Sequence, residues 1–164
     1  MDHVFSDLEG LRIAIEMERR GEAFYRRAAR ISKNADTIAL LDALAGDERE
    51  HAARFQALFD EECEKNASAC AEAYDPETSA YLSAIAADII FPGGLMALRQ
   101  SGFESPEAVI CAAIASEKDS ILFYTELATC ARDAHARDIF LEIVRQEREH
   151  LLRLQRLLNG GLPK

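Results

Sequence analysis

The feature that most constrains this chain is a Glu-x-x-His motif that occurs twice. Glu48 and His51 lie in Asp-Glu-Arg-Glu-His-Ala, and Glu147 and His150 lie in Gln-Glu-Arg-Glu-His-Leu, 99 residues further on (147 − 48 and 150 − 51). Residues three apart project from the same face of an α-helix, so each motif can present a carboxylate oxygen and an imidazole nitrogen to one point. The rest of the chain is expected to bring those two points together.

The apolar pattern around the motifs predicts four long helices in two hairpins. Apolar residues recur at helical spacing in four segments, and short polar breaks separate the first from the second and the third from the fourth. The offset of 99 residues also maps Glu18 onto Glu117 and Tyr25 onto Tyr124 (117 − 18 and 124 − 25). A constant offset that carries both apolar and polar positions indicates an internal duplication.

The predicted fold is all-α and forms a single domain over residues 1–164, because a chain of this length can bury one substantial core. A first helical hairpin is expected at residues 6–63 and a second at residues 106–160, which together make an antiparallel four-helix bundle. Residues 64–105 form a long crossover between them, with short helical pieces of its own.

Two further glutamates, Glu18 and Glu117, lie in the middle of apolar helix faces, where an unpaired ionised carboxylate is strongly unfavourable. Folding each hairpin antiparallel brings each of them level with one Glu-x-x-His motif. Four carboxylates and two imidazoles in a bundle interior require added positive charge, which two divalent cations would supply. This set of ligands suits iron or manganese, with zinc also possible. A Glu from each of two helices and a Glu-x-x-His from each of the other two is the ligand set of ferritin-like di-iron bundles.

The amino-acid sequence around these residues resembles that of the rubrerythrin branch of the ferritin-like superfamily. The segments that carry the resemblance are Ala-Ile-Glu-Met-Glu-Arg-Arg-Gly-Glu-Ala-Phe-Tyr, which ends at Tyr25, Ala-Ser-Glu-Lys-Asp-Ser-Ile-Leu-Phe-Tyr, which ends at Tyr124, and the two Glu-Arg-Glu-His motifs. The resemblance covers the four helices and implies a ferritin-like bundle with two iron ions. It implies that Glu48 and Glu147 bridge the two metals.

The resemblance also assigns the remaining roles. Terminal ligands would be Glu18 with His51 at one metal and Glu117 with His150 at the other, while Tyr25 and Tyr124 would hydrogen-bond the ligand carboxylates. Classical rubrerythrins carry a further carboxylate three residues after the glutamate of the third bundle helix, where this chain has Ser120. They also carry a rubredoxin domain with four cysteine ligands, which is not expected in this chain.

The expected function is that of a non-haem di-iron oxidoreductase, which reduces hydrogen peroxide or dioxygen with electrons from an external donor such as a rubredoxin-type protein. One alternative is a ferritin-like ferroxidase that stores iron. Another is a non-catalytic bundle that the metal chiefly stabilises. The three differ in whether iron is a cofactor, a substrate or a structural element.

Some residues near the motifs are expected to have no part in metal binding. Glu22 is interpreted as solvated at the rim of the bundle, with an auxiliary ligand or a proton relay as alternatives. Asp47 and Gln146, which directly precede the motifs, are expected to point to solvent. The four cysteines form no Cys-x-x-Cys pair and are expected to be reduced thiols.

Composition excludes several classes of partner. A formal net charge of −10 argues against a nucleic acid, which requires a basic surface.

The first residues lack the pattern of a secretory signal, and no apolar run is long enough to span a membrane. A cytoplasmic protein is therefore expected. The apolar faces of the crossover favour a homodimer.

Overall fold

A computed structural model of the chain describes residues 7–73, 76, 77, 80 and 105–160. The described residues form helices and no strand, which confirms the predicted all-α, ferritin-like bundle. The helices are α1 (Asp7–Ile31), α2 (Ala35–Lys65), α3 (Ala67–Ala73), α4 (Pro106–Cys130) and α5 (Ala134–Asn159).

Polar side chains cap the starts of α2, α4 and α5. The Asn34 side chain accepts a hydrogen bond from the backbone N–H of Thr37 at 2.8 Å, and Ser105 accepts one from Ala108 at 3.1 Å. Asp133 plays the same part at the start of α5. These oxygens satisfy N–H groups that have no partner within the helix, so each hairpin turn is short and well defined.

The bundle consists of two hairpins that meet along a narrower surface. α1 packs along α2 and α4 packs along α5, whereas the contacts of α1 with α4 and of α2 with α5 are fewer. Between the hairpins, the ring of Phe55 from α2 lies 5.0 Å from the ring of Tyr124 and 5.4 Å from that of Phe140, measured between centroids. Buried aromatic contacts therefore help to hold the two halves in register.

The end of α2 differs from the prediction. Cys63 in its last turns and Cys70 in α3 form a disulfide, with their Cα atoms 4.9 Å apart. The prediction of reduced thiols is wrong for this pair, because the turn between α2 and α3 places two cysteines seven residues apart within bonding reach. Cys111 and Cys130 are not disulfide-bonded.

Most of the crossover lies outside the described residues, including the short helices predicted there beyond α3. The apolar crossover faces behind the homodimer expectation also lie there, so the homodimer stays a prediction. Over the part of the chain that the structure describes, no helix is both long and apolar enough to cross a membrane.

Candidate metal centre

The six carboxylates and histidines predicted as ligands lie together at the middle of the bundle. They are buried, with no more than 6% of any of them exposed, and comprise Glu18, Glu48, His51, Glu117, Glu147 and His150. Glu18 comes from α1, Glu117 from α4, and each Glu-x-x-His motif occupies one turn of α2 or α5. The four helices thus converge their ionisable side chains on one interior point.

These side chains form two groups that could each hold a metal ion. One group contains Glu18 and His51, the other contains Glu117 and His150, and both contain Glu48 and Glu147. Within a group, one ligand atom from each residue lies within 4.8 Å of all the others. Because the two groups share two carboxylates, they have the arrangement that a pair of bridged metal ions requires.

Both imidazole rings turn the same nitrogen towards the carboxylates. His51 Nδ1 lies 2.8 Å from a Glu147 oxygen and 3.5 Å from a Glu18 oxygen. His150 Nδ1 lies 3.0 Å from the second Glu147 oxygen and 3.4 Å from Glu48. The two rings are stacked, with centroids 5.7 Å apart, so each faces the same cluster of oxygens.

Several polar atoms in the cluster are buried without a hydrogen bond. Both oxygens of Glu18, one of Glu48 and one of Glu147 have none, and neither has His51 Nδ1, whose short contact to Glu147 lacks hydrogen-bond geometry. Buried polar atoms are normally paired, and an unpaired one is costly. Because these atoms point at common positions and are oxygen and nitrogen donors, the residues present fit two divalent ions.

The electrostatics of the metal-free cluster show how strongly it attracts positive charge. Burial would lower the pKa of His51, but its contacts with Glu147 and Glu18 outweigh burial and raise it to about 11. The pKa of His150 is raised for the same reason. Burial and the charge of Glu147 raise the pKa of Glu117 to about 8. Protons thus take the place of cations, and metal binding must release them.

The two predicted tyrosines reach across from one hairpin to the other. The Tyr25 hydroxyl of α1 donates a hydrogen bond to Glu117 of α4. Burial, followed by the charge of Glu18, raises the pKa of Tyr124, although its hydroxyl makes no hydrogen bond within the described part of the chain. Each tyrosine therefore faces a ligand glutamate of the other hairpin, Tyr25 facing Glu117 and Tyr124 facing Glu18.

The structure assigns a different environment from the one predicted for Asp47 and Gln146. The carboxylate of Asp47 lies 3.1 Å from His150 Nε2, and the amide oxygen of Gln146 lies 2.7 Å from His51 Nε2. The expectation that both point to solvent is wrong in one respect: the antiparallel crossing of α2 and α5 brings each residue level with the other helix's histidine, although the Asp47 side chain is still 42% exposed. The constant offset of 99 residues also relates these two positions (146 − 47), a signal that could have identified them.

Two further positions frame the cluster. Glu22 belongs to neither ligand group and forms an ion pair with Arg26 at 2.7 Å, in line with the interpretation that it lies at the rim. Gly21 is buried against Glu48: a Cβ added there would lie 2.7 Å from Glu48 Oε2. The absence of a side chain at Gly21 lets Glu48 lie close to α1. The sequence pattern did not predict this role of Gly21.

An antiparallel bundle with two carboxylate and histidine groups at its centre defines the class of ferritin-like proteins with a dinuclear metal site. The family model for rubrerythrin matches residues 9–88 and 109–162, more than half of the chain. The chain therefore belongs to the rubrerythrin family. Comparisons with curated proteins and with solved structures found no match.

Proposed function

We propose that this protein is a non-haem di-iron oxidoreductase, which reduces hydrogen peroxide, or dioxygen, with electrons from an external donor. The observation that carries the proposal is the sharing of Glu48 and Glu147 by both ligand groups. Shared carboxylates would hold two ions side by side, and membership of the rubrerythrin family favours iron as the metal.

The number of charges supports a pair of ions. Four buried carboxylates carry up to four negative charges, and two divalent ions would balance all four once the protons held by His51, His150 and Glu117 are released. Two ferrous ions, when bound, supply together the two electrons that one hydrogen peroxide molecule consumes, with two protons, when it becomes two water molecules. A paired site therefore suits a two-electron reduction.

The chain's own residues would hold and orient that pair. Glu48 and Glu147 would set the spacing of the ions, while His51 and His150 would bind one ion each through Nδ1. The hydrogen bond from Tyr25 would fix the orientation of Glu117. Burial of the whole cluster keeps bulk water away, which strengthens each of these electrostatic interactions.

The electrons would come from a separate protein of the rubredoxin type. Of the chain's four cysteines, Cys63 and Cys70 are used in a disulfide, and no Cys-x-x-Cys pair is present to hold a rubredoxin iron. The external donor would therefore have to supply two electrons for each molecule of peroxide that is reduced.

Anaerobic loading with ferrous iron, followed by one equivalent of hydrogen peroxide, tests the proposal. We expect the chain to bind two irons and peroxide to oxidise them rapidly and stoichiometrically, as monitored by the near-ultraviolet absorption of the ferric pair. A reduced rubredoxin is expected to reverse the oxidation. Oxidation of many irons per chain would instead favour storage. Two bound ions that raise the melting temperature without any turnover would favour a structural role.

A matched pair of variants separates the site from the surface. Glu48→Gln is expected to abolish binding of the second iron and stoichiometric oxidation, because Glu48 belongs to both groups. Glu50→Gln, an exposed position on the same helix, is expected to behave as the wild type. Full two-iron binding and oxidation in Glu48→Gln would contradict the proposed role of the shared carboxylates.

A further inference from the structure

The outer nitrogens of the two histidines are held by chemically different groups. His150 Nε2 faces the carboxylate of Asp47, while His51 Nε2 faces the amide oxygen of Gln146. We propose that these two residues make the metal positions inequivalent, so that the position at His150 binds the tighter of the two ions and is filled first. This inference rests on the proposed metal centre and adds Asp47 and Gln146 as its positioning residues.

The contact at His150 is direct, and its acceptor is a charged carboxylate. Asp47 Oδ2 lies 3.1 Å from His150 Nε2, and Arg153 Nη1 lies 3.8 Å from the same oxygen. A carboxylate can only accept a hydrogen bond, so it requires a proton on His150 Nε2. When metal binding releases the other proton of the ring, the lone pair lies on Nδ1, the nitrogen that faces the buried carboxylates.

The contact at His51 has a neutral group in the corresponding place. The Gln146 oxygen lies 2.7 Å from His51 Nε2, and its amide nitrogen donates to Glu142 at 3.2 Å. Because Glu142 can only accept, the amide nitrogen must face Glu142 and the amide oxygen must face the histidine. Glu142 in turn pairs with Arg54 at 2.9 Å. The negative charge on this side is therefore one residue further from the imidazole.

The internal duplication makes the comparison well matched. The offset of 99 residues relates Asp47 to Gln146 and Arg54 to Arg153 (146 − 47 and 153 − 54). The two histidines thus share a common arrangement in which the partner of Nε2 is a carboxylate for His150 and an amide for His51.

A carboxylate behind a ligating histidine raises the basicity of the nitrogen that binds the metal. Hydrogen bonds to a charged acceptor are roughly twice as strong as neutral ones, and loss of such a partner lowers metal affinity by about 10- to 100-fold. Asp47 is 42% exposed along its side chain, so solvent weakens its charge and the low end of this range applies. We expect a preference of about tenfold for the His150 position.

The test uses the metal-free protein with ¹⁵N-labelled histidines and Zn²⁺ as a diamagnetic probe. At one equivalent of Zn²⁺, the Nδ1 resonance of His150 is expected to shift to its metal-bound value while that of His51 stays largely unchanged. A second equivalent is expected to shift His51. The histidine resonances report where the ion is, independently of any catalytic activity.

Two variants and a control test the cause. Asp47→Asn keeps an oxygen that can accept the hydrogen bond but removes its charge, so the two resonances are expected to shift together at one equivalent. Gln146→Glu is expected to move the first ion towards His51. Asp42→Asn removes a charge from an exposed position of α2 and is expected to leave the wild-type order unchanged.

Equal filling of both positions in the wild type would overturn the inference, and so would an Asp47→Asn variant that still fills His150 first. Uptake of two Zn²⁺ ions in either case would leave the metal centre itself standing. If the wild type bound no Zn²⁺, both the metal centre and the inference drawn from it would be overturned.

Discussion

Gly21→Ala tests how closely the backbone of α1 supports the metal centre. The added Cβ would lie 2.7 Å from Glu48 Oε2 and 3.2 Å from its carboxyl carbon. To reach ordinary contact at 3.4 Å, the nearest oxygen has to retreat by about 0.7 Å. Glu48 belongs to both ligand groups, so the displacement affects both metal positions.

Two effects of this change oppose each other in the metal-free protein. Replacing glycine by alanine inside a helix stabilises it by about 1 kcal/mol. Forcing the Glu48 side chain away from its preferred rotamer costs about 0.5–1.5 kcal/mol. We therefore expect little net change in the free energy of unfolding of the metal-free Gly21→Ala variant.

Metal binding is expected to respond much more strongly. Metal–ligand distances tolerate deviations of only about 0.2 Å, which is less than the displacement required of Glu48. We expect the affinity for Zn²⁺ to fall by at least about tenfold, which corresponds to ~1.4 kcal/mol. A competition titration against a chelator of known affinity measures this change.

Gly46→Ala is the matched control, because Gly46 lies inside α2 and a Cβ there has no neighbour within 4 Å. It is expected to stabilise the protein by about 1 kcal/mol, which raises the melting temperature by about 2–4 °C at this chain length. Its metal affinity should equal that of the wild type. A Gly21→Ala variant that matches Gly46→Ala in both measurements would refute the close packing of Glu48 against α1.

Three further outcomes are expected. Tyr25→Phe removes the donor to the buried Glu117 carboxylate and should destabilise the metal-free protein by about 1–3 kcal/mol, whereas Tyr124→Phe should change it little; equal losses in urea unfolding would contradict this difference. Folding raises the pKa of His51 from 6.5 to about 11 and that of Glu117 from 4.5 to about 8, so the folded chain binds more protons than the unfolded chain between these values. The free energy of unfolding of the metal-free protein should therefore fall as the pH rises from about 5 to 9. Urea unfolding that showed a flat or rising stability would be inconsistent with these shifts. Thiol titration of the unreduced, unfolded chain should find two reactive thiols, and a count of four would show that the α2–α3 disulfide does not form.

Much of the candidate site follows from sequence because its signals are local and repeated. Helical periodicity places Glu48 and His51 on one face, and the repeat at a constant offset does the same for Glu147 and His150. An unpaired carboxylate in the middle of an apolar helix face is strongly unfavourable, and this identified Glu18 as a candidate ligand without reference to a fold. The structure places these residues in two groups that could each hold a metal ion.

The contacts of Asp47 and Gln146 were not predicted, although the constant offset of 99 residues relates the two positions. Both residues are polar and lie beside a ligand on a helix, where a solvent-facing side chain is the ordinary expectation. Their contacts depend on how two helices from different hairpins cross. The disulfide between Cys63 and Cys70 escaped prediction for a similar reason, since a spacing of seven residues brings two cysteines together only when the chain turns between them.

The sequence alone determined which side chains are available and how each helix presents them, because periodicity within a helix is a property of a few turns of backbone. Only the tertiary structure decided which residues stand behind the ligands. The distance between His150 and Asp47 depends on the packing of α5 against α2, and Gly21 matters only because Glu48 of another helix lies against it. Long-range packing therefore turns a difference between the two sequence repeats, Asp47 in one and Gln146 in the other, into different surroundings for the two histidines.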